Sequence, residues 1–172
     1  MNSQINLEKV YIYPTDTIYG IGCDATNDKL VLKIRDIKKR EEKPFSIIAP
    51  SKKWIKENFE IIHPNYLDKL PGPYTLVMRP KNKKIISKHV SYSDKVGVRI
   101  PNCEFSKLVK KTGKPFVTTS VNISGEPHLV DPKNLKKEIK DKVDIVIDEG
   151  KLSGNASTVI DVSGKEPVIL RK

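Results

Sequence analysis

Short apolar runs alternate with amphipathic stretches along the whole of this chain. Residues 10–13, 45–49, 75–79, 96–100, 115–119, 143–147, 158–162 and 167–170 are apolar runs short enough for strands. Between them lie helical patterns. Asn27 is a good N-cap, Asp28 follows in the first turn, and Leu30, Ile34 and Ile37 fall on one face. Ser51 can cap a helix carrying Trp54 and Ile55. Residues 65–70 predict a short helix closed by Pro71-Gly72-Pro73, and residues 105–111 predict another. Asp131-Pro132 pairs a cap with a proline at the first helical position, predicting a helix through Leu135 and Ile139. Strands and helices interleave from end to end. The class is α/β, with a sheet mostly covered by flanking helices.

At 172 residues the chain is most simply one domain. No apolar run approaches the ~20 residues that span a bilayer, and the segment Met1-Asn2-Ser3-Gln4 carries no secretory signal pattern. A cytoplasmic protein with no membrane partner is expected. Cys23 and Cys103 lack metal-ligand spacing, and in that compartment both stay reduced. The net charge of +11 suits anionic partners such as nucleotides or RNA. Yet the lysines are spread over the whole chain and aromatics are only 6%, so no stacking platform for single strands stands out.

The chemistry gathers in a few segments. After the first strand, Tyr13-Pro14-Thr15-Asp16-Thr17-Ile18-Tyr19-Gly20-Ile21-Gly22 packs hydroxyls, a carboxylate, an aromatic ring and two glycines into what reads as a strand-end ligand loop. Gly20-Ile21-Gly22-Cys23-Asp24-Ala25 fits G-x-G-x-x-A, but six residues separate strand from first glycine, too many for a dinucleotide turn. Lys38, Arg40 and Lys43 form a basic segment suited to phosphate oxygens. Arg99 ends an apolar strand, where a charge is costly unless it opens into a site or meets a carboxylate. Thr118 to Gly125 and Ser157-Thr158 add hydroxyls and an amide beside other strands. His63, His89 and His128 are scattered and read as surface or structural residues.

Together these segments resemble the threonylcarbamoyl-AMP synthase family of the YrdC type. The resemblance is carried, in the family's order, by Tyr13 to Gly20, Lys38-x-Arg40 with Lys43-Pro44, Pro71 to Thr75, Val98-Arg99-Ile100-Pro101, Thr119 to Gly125 and Ser157 to Asp161. It implies a twisted sheet with flanking helices around a basic concave cavity, in the single-domain form over residues 1–172, without the second domain of longer members. It implies an ATP-dependent nucleotidyltransferase that converts L-threonine, bicarbonate and ATP into threonylcarbamoyl-AMP and pyrophosphate, with Mg²⁺ accompanying ATP and no protein metal site. The product serves modification of tRNA next to the anticodon, so tRNA and transfer proteins are implied partners. By position, Lys38 and Arg40 are the implied catalytic pair. Lys38, Arg40, Lys43, Arg99, Asn122 and Arg171 are the implied ATP contacts. Thr15, Thr17, Tyr19, Cys103, Ser120 and Ser157 are the implied threonine contacts. Cys103 and Ala49 stand where histidine is common in the family. The alternative is a module of the same fold that binds RNA, double-stranded RNA included, without the reaction. Its mark would be salt-steep RNA affinity indifferent to ATP.

Overall fold

The computed structural model describes residues 4–172; Met1 to Ser3, part of the segment read above for a secretory signal, lie outside them. Among the described residues nine strands form one mixed sheet: β1 (Tyr11–Tyr13), β2 (Gly20–Gly22), β3 (Ser46–Ile48), β4 (Tyr74–Met78), β5 (Val96–Arg99), β6 (Phe116–Ser120), β7 (Ile145–Val146), β8 (Thr158–Asp161) and β9 (Val168–Arg171). Their order is β7-β1-β2-β6-β3-β5-β4-β8-β9. Four helices accompany them: α1 (Asp28–Lys38), α2 (Lys52–Asn58), α3 (Glu104–Thr112) and α4 (Lys137–Lys140). The expected α/β class holds, and the predicted caps are made: Asn27 accepts from the Leu30 amide and Ser51 from the Trp54 amide.

Alternation along the strands divides the sheet into two unlike faces. Ile12, Ile21, Ile47, Leu76, Val98, Val117 and Ile160 face one way, into the main core, where Val31, Ile34 and Ile37 of α1 and Ile55 of α2 cover them. The opposite face is shared. One end holds a second cluster of Tyr11, Tyr13, Ile48 and Phe116 beneath Phe105 and Val109 of α3. The other end carries Ser46, Thr75, Thr118 and Ser120, which no helix covers. That uncovered polar half is the cavity floor.

Three sequence expectations change. Gly20-Ile21-Gly22, read as part of a loop, is strand β2, paired antiparallel with β1 and β6. Its glycines make room for Tyr13, whose ring stacks on Phe105 with centroids 3.9 Å apart and whose hydroxyl donates to the Val117 carbonyl. A Cβ on Gly20 would lie 2.9 Å from that ring, and one on Gly22 only 1.8 Å from the Val117 oxygen. The helix expected from Asp131 through Ile139 breaks into a 3₁₀ turn (Pro132–Asn134) and α4, with Leu135 extended between them. Lys133, Lys136, Lys137 and Lys140 would sit at i,i+3 and i,i+4 spacings in an unbroken helix, where like charges repel. Finally, residues 64–69 form a 3₁₀ helix, with proline at its start.

Candidate active site

The polar half of the sheet opens into a cleft with an interior of about 140 Å³ that is continuous with solvent at its mouth. Its lining comes from segments far apart in sequence: Thr15, Thr17, Tyr19 and Gly20; Arg40, Pro44 and Ser46; Thr75; Arg99; Thr118, Thr119 and Ser120; Ser157 and Arg171. Three guanidinium groups therefore line a pocket whose other polar side chains are hydroxyls, with Ile18, Pro44, Ala156 and Val159 completing the wall.

The Thr15–Thr17 segment is a self-bonded turn. Thr15 Oγ1 donates to the Ile18 carbonyl at 2.7 Å and accepts from the Thr17 amide at 3.1 Å. Asp16, at its apex, ties two further elements together. Its Oδ1 accepts from Arg99 Nη2 at 2.6 Å, and its Oδ2 accepts from the Asn102 amide just before α3 at 2.9 Å. The charged strand end noticed in the sequence thus meets a carboxylate. Burial lowers the pKa of Arg99, and the Asp16 charge opposes that shift. Among the described residues, Arg99 Nε is the one buried side-chain polar atom without a hydrogen-bond partner.

Arg40 reaches the cleft from the loop after α1. Its Nε and Nη2 donate to the carbonyls of Lys43 and Pro44 at 3.2 and 2.7 Å, and Nη1 lies 3.5 Å from Thr119 Oγ1. On the far wall, Arg171 Nη2 donates to the carbonyl and hydroxyl oxygens of Ser157, while Ser157 Oγ meets Thr75 Oγ1 at 2.9 Å. Tyr19 lines the cleft with its ring. Its hydroxyl is occupied elsewhere, donating to the Gly150 carbonyl at 2.7 Å and accepting from the Glu149 amide at 3.0 Å.

Of the residues singled out from sequence, the cleft brings together Thr15, Thr17, Tyr19, Arg40, Arg99, Ser120, Ser157 and Arg171. Four lie outside its lining. Lys38 is buried, and its ammonium donates to the carbonyls of Ser120 and Asn122 and to Asn122 Oδ1. It clamps the loop after β6 from behind. Burial, and secondarily the charge of Arg40, pull its pKa down to about 7. Asn122 is the clamp's other half; its side-chain amide donates to the Glu126 carbonyl at 2.7 Å. Lys43 is exposed and turns its carbonyl, not its ammonium, to the site. Cys103 is the N-cap residue of α3, its thiol 3.6 Å from Ser106 Oγ and its pKa raised by burial.

Sequence reasoning passed over Ser46, Thr75 and the pairing role of Asp16. Strand alternation could have found the first two, because they share a sheet face with Thr118. The histidines act as expected: His63 and His128 bond the carbonyls of Gly164 and Gly154, and His89 bonds the Tyr92 hydroxyl.

An α/β sheet with one face hollowed into an arginine-and-hydroxyl cleft has the residue types that suit a small anionic ligand. The comparison with known proteins narrows that reading. The family model Sua5/YciO/YrdC, described as "Telomere recombination", matches residues 3–172, and the chain belongs to that family. A relative from Methanocaldococcus jannaschii, provisionally named a threonylcarbamoyl-AMP synthase, is 35% identical and is matched over 95% of this chain and 79% of its own length. The threonylcarbamoyl-AMP synthase of Vibrio parahaemolyticus is 29% identical over 95% of this chain and 92% of its own. Among solved structures, Pyrococcus abyssi Sua5 complexed with L-threonine superposes with a TM-score of 0.85 at 29% identity, over 95% of this chain and 50% of that one. The chain thus spans about half of the Pyrococcus protein. Escherichia coli YciO, at 23% identity and a TM-score of 0.83, shares the fold.

Proposed function

We propose that this protein is a threonylcarbamoyl-AMP synthase, a nucleotidyltransferase that joins L-threonine, bicarbonate and ATP into threonylcarbamoyl-AMP with release of pyrophosphate. The observation that carries the reading is the convergence of Arg40, Arg99 and Arg171 with the Thr15, Thr17, Ser120 and Ser157 hydroxyls in one cleft. Relatives named for this activity match over most of the chain, and the Pyrococcus relative was solved with L-threonine bound.

The threonine amine nitrogen bonds to the carbon of bicarbonate with loss of water, giving a carbamate. A carbamate oxygen then bonds to the α-phosphorus as the bond to pyrophosphate breaks. No protein nucleophile is needed. The requirement is to hold two mutually repelling anions in line and to neutralise the leaving pyrophosphate. Arg40 and Arg99, from the loop after α1 and the end of β5, supply that charge. The hydroxyls of Thr17, Ser120 and Ser157 orient threonine. Mg²⁺ enters as part of the Mg·ATP substrate, bound through phosphates and water.

Purified protein incubated with L-threonine, bicarbonate and Mg·ATP should release pyrophosphate only when all three are present, with the adenylate identified by mass spectrometry. A folded protein that forms no adenylate would sink the reading. If the protein instead bound RNA with a steep salt dependence indifferent to ATP, the RNA-binding alternative would replace it.

A further inference from the structure

We infer that Arg35, which never reaches the cleft, is a positioning residue that builds the polyphosphate-gripping loop and holds Arg40 in its binding pose. The inference rests on the ATP-site reading above. Arg35 lies in the last turn of α1 and is buried. Its guanidinium donates to five backbone carbonyls. Nη1 bonds those of Arg40, Glu41 and Lys43 at 3.1, 3.2 and 3.1 Å; Nε bonds His89 at 2.8 Å and Nη2 bonds Val90 at 3.3 Å. Its guanidinium carbon lies over the rings of Phe45 and Tyr92, 4.3 and 4.8 Å from their centroids. The whole of segment 40–43 is thus wound around one side chain.

Two consequences follow from that geometry. First, the Lys43 carbonyl that accepts from Arg35 also accepts from Arg40 Nε. Arg35 therefore sets the acceptor that aims Arg40. Lys39, in the left-handed conformation at φ 50°, turns the chain between the buried Lys38 and the cleft-facing Arg40. Arg35 holds the far side of that turn. Second, none of the bonds of Arg35 goes to a carboxylate. Its charge is solvated by dipoles but not cancelled, so it adds positive potential behind Arg40, where phosphate oxygens would sit. Lysine cannot replace it, since an ammonium has neither the planar five-donor fork nor the stacking faces.

The test is calorimetric binding of tripolyphosphate, and separately of L-threonine, to wild type, Arg35→Lys, Arg40→Ala and the double variant. Tripolyphosphate needs no turnover, so the result stands apart from whether the adenylate forms. Arg35→Lys should weaken tripolyphosphate about tenfold while leaving threonine within about twofold. In the Arg40→Ala background the same change should cost much less, because the two residues act through one loop. A general packing defect would instead weaken both ligands, or add independently of Arg40. If Arg35→Lys does not fold, Tyr92→Leu decides: Tyr92 is 55% exposed, and its loss should remove a cation–π contact of Arg35 and weaken tripolyphosphate about threefold. Unchanged tripolyphosphate affinity in the folded variant, equal losses for both ligands, or a wild type that binds no tripolyphosphate would each overturn the inference.

Discussion

Two buried charges at the site are held in opposite ways, and each predicts a distinct pH or mutational response. Lys38 is a cation surrounded by neutral acceptors, its pKa brought down to about 7 by burial. An unfolded lysine keeps its proton to about pH 10.4. Between those two values the unfolded chain binds one more proton at this residue, so the contribution of Lys38 to stability rises as pH rises from 7 toward 10. Buried thiols and tyrosines with raised pKa pull the other way at high pH, so the readout is a difference. Urea unfolding at pH 6.5 and 9.5 should show wild type gaining stability relative to Lys38→Met at the higher pH. Arg99, by contrast, is compensated by one carboxylate. Replacing Asp16 with asparagine strands a buried guanidinium, which should cost about 3 kcal/mol in urea unfolding, against the ~3–5 kcal/mol typical of broken buried pairs. The loss falls at the low end because Arg99 opens onto the cleft and asparagine can still accept from Asn102. Saturating ATP should recover part of it by supplying phosphate oxygens to Arg99. A loss unaffected by ATP would place Arg99 away from the phosphates.

At the level of elements, the β1–β2 pair shows what a sequence conceals. A run of glycine, isoleucine and glycine is poor strand material by propensity, and in the sequence it reads as loop. Its reason lies on β1 and β6: the Tyr13 ring, crossing β2 to reach β6, fills the space beside Gly20, and the Val117 carbonyl that accepts from its hydroxyl fills the space beside Gly22. Gly22→Ala drives a methyl into a backbone carbonyl and should cost about 3 kcal/mol in chemical denaturation. Gly20→Ala meets the edge of a ring that can shift and should cost about 1 kcal/mol. The reverse ranking would mean that the ring is not seated there. The other strands and the caps at Asn27 and Ser51 were legible because apolar spacing and capping chemistry are local. So were the site segments, whose residue types suit polar ligands. Which side chain faces the cleft was not legible, because register decides it: Lys38 and Arg40 are two positions apart, yet the left-handed turn at Lys39 sends one behind the β6 loop and the other into the pocket. Arg35 escaped notice for a similar reason. A basic residue near a helix C-terminus reads as a dipole partner, and only the tertiary wrap of residues 40–43 shows otherwise.

For the molecule as a whole, part of the net charge of +11 gathers where the sheet leaves one half of a face uncovered. Lysines elsewhere are largely solvated, and many are in surface ion pairs worth little individually. Arg40, Arg99 and Arg171 differ because their charges converge on one partly enclosed volume, with Lys38 and Arg35 behind its walls. Such a cleft should attract Mg·ATP over a distance set by ionic strength, with a Debye length of about 10 Å at 0.1 M salt and about 3 Å at 1 M. Threonine arrives as a zwitterion with no net charge and should feel little of this. Raising salt from 0.05 to 0.5 M should therefore increase the KM for ATP about fivefold and change the KM for threonine less than about twofold. ATP at about 100 times its dissociation constant should also stabilise the fold by ~2.7 kcal/mol at low salt. The two measurements constrain each other. If the field of the whole cleft governs ATP capture, doubling the ATP dissociation constant with salt must lower the stabilisation seen at fixed ATP by RT ln 2, about 0.4 kcal/mol. A KM that rises with salt while ATP-dependent stabilisation stays constant would mean that salt acts on a later step, and that the arginines serve the leaving pyrophosphate more than the incoming nucleotide.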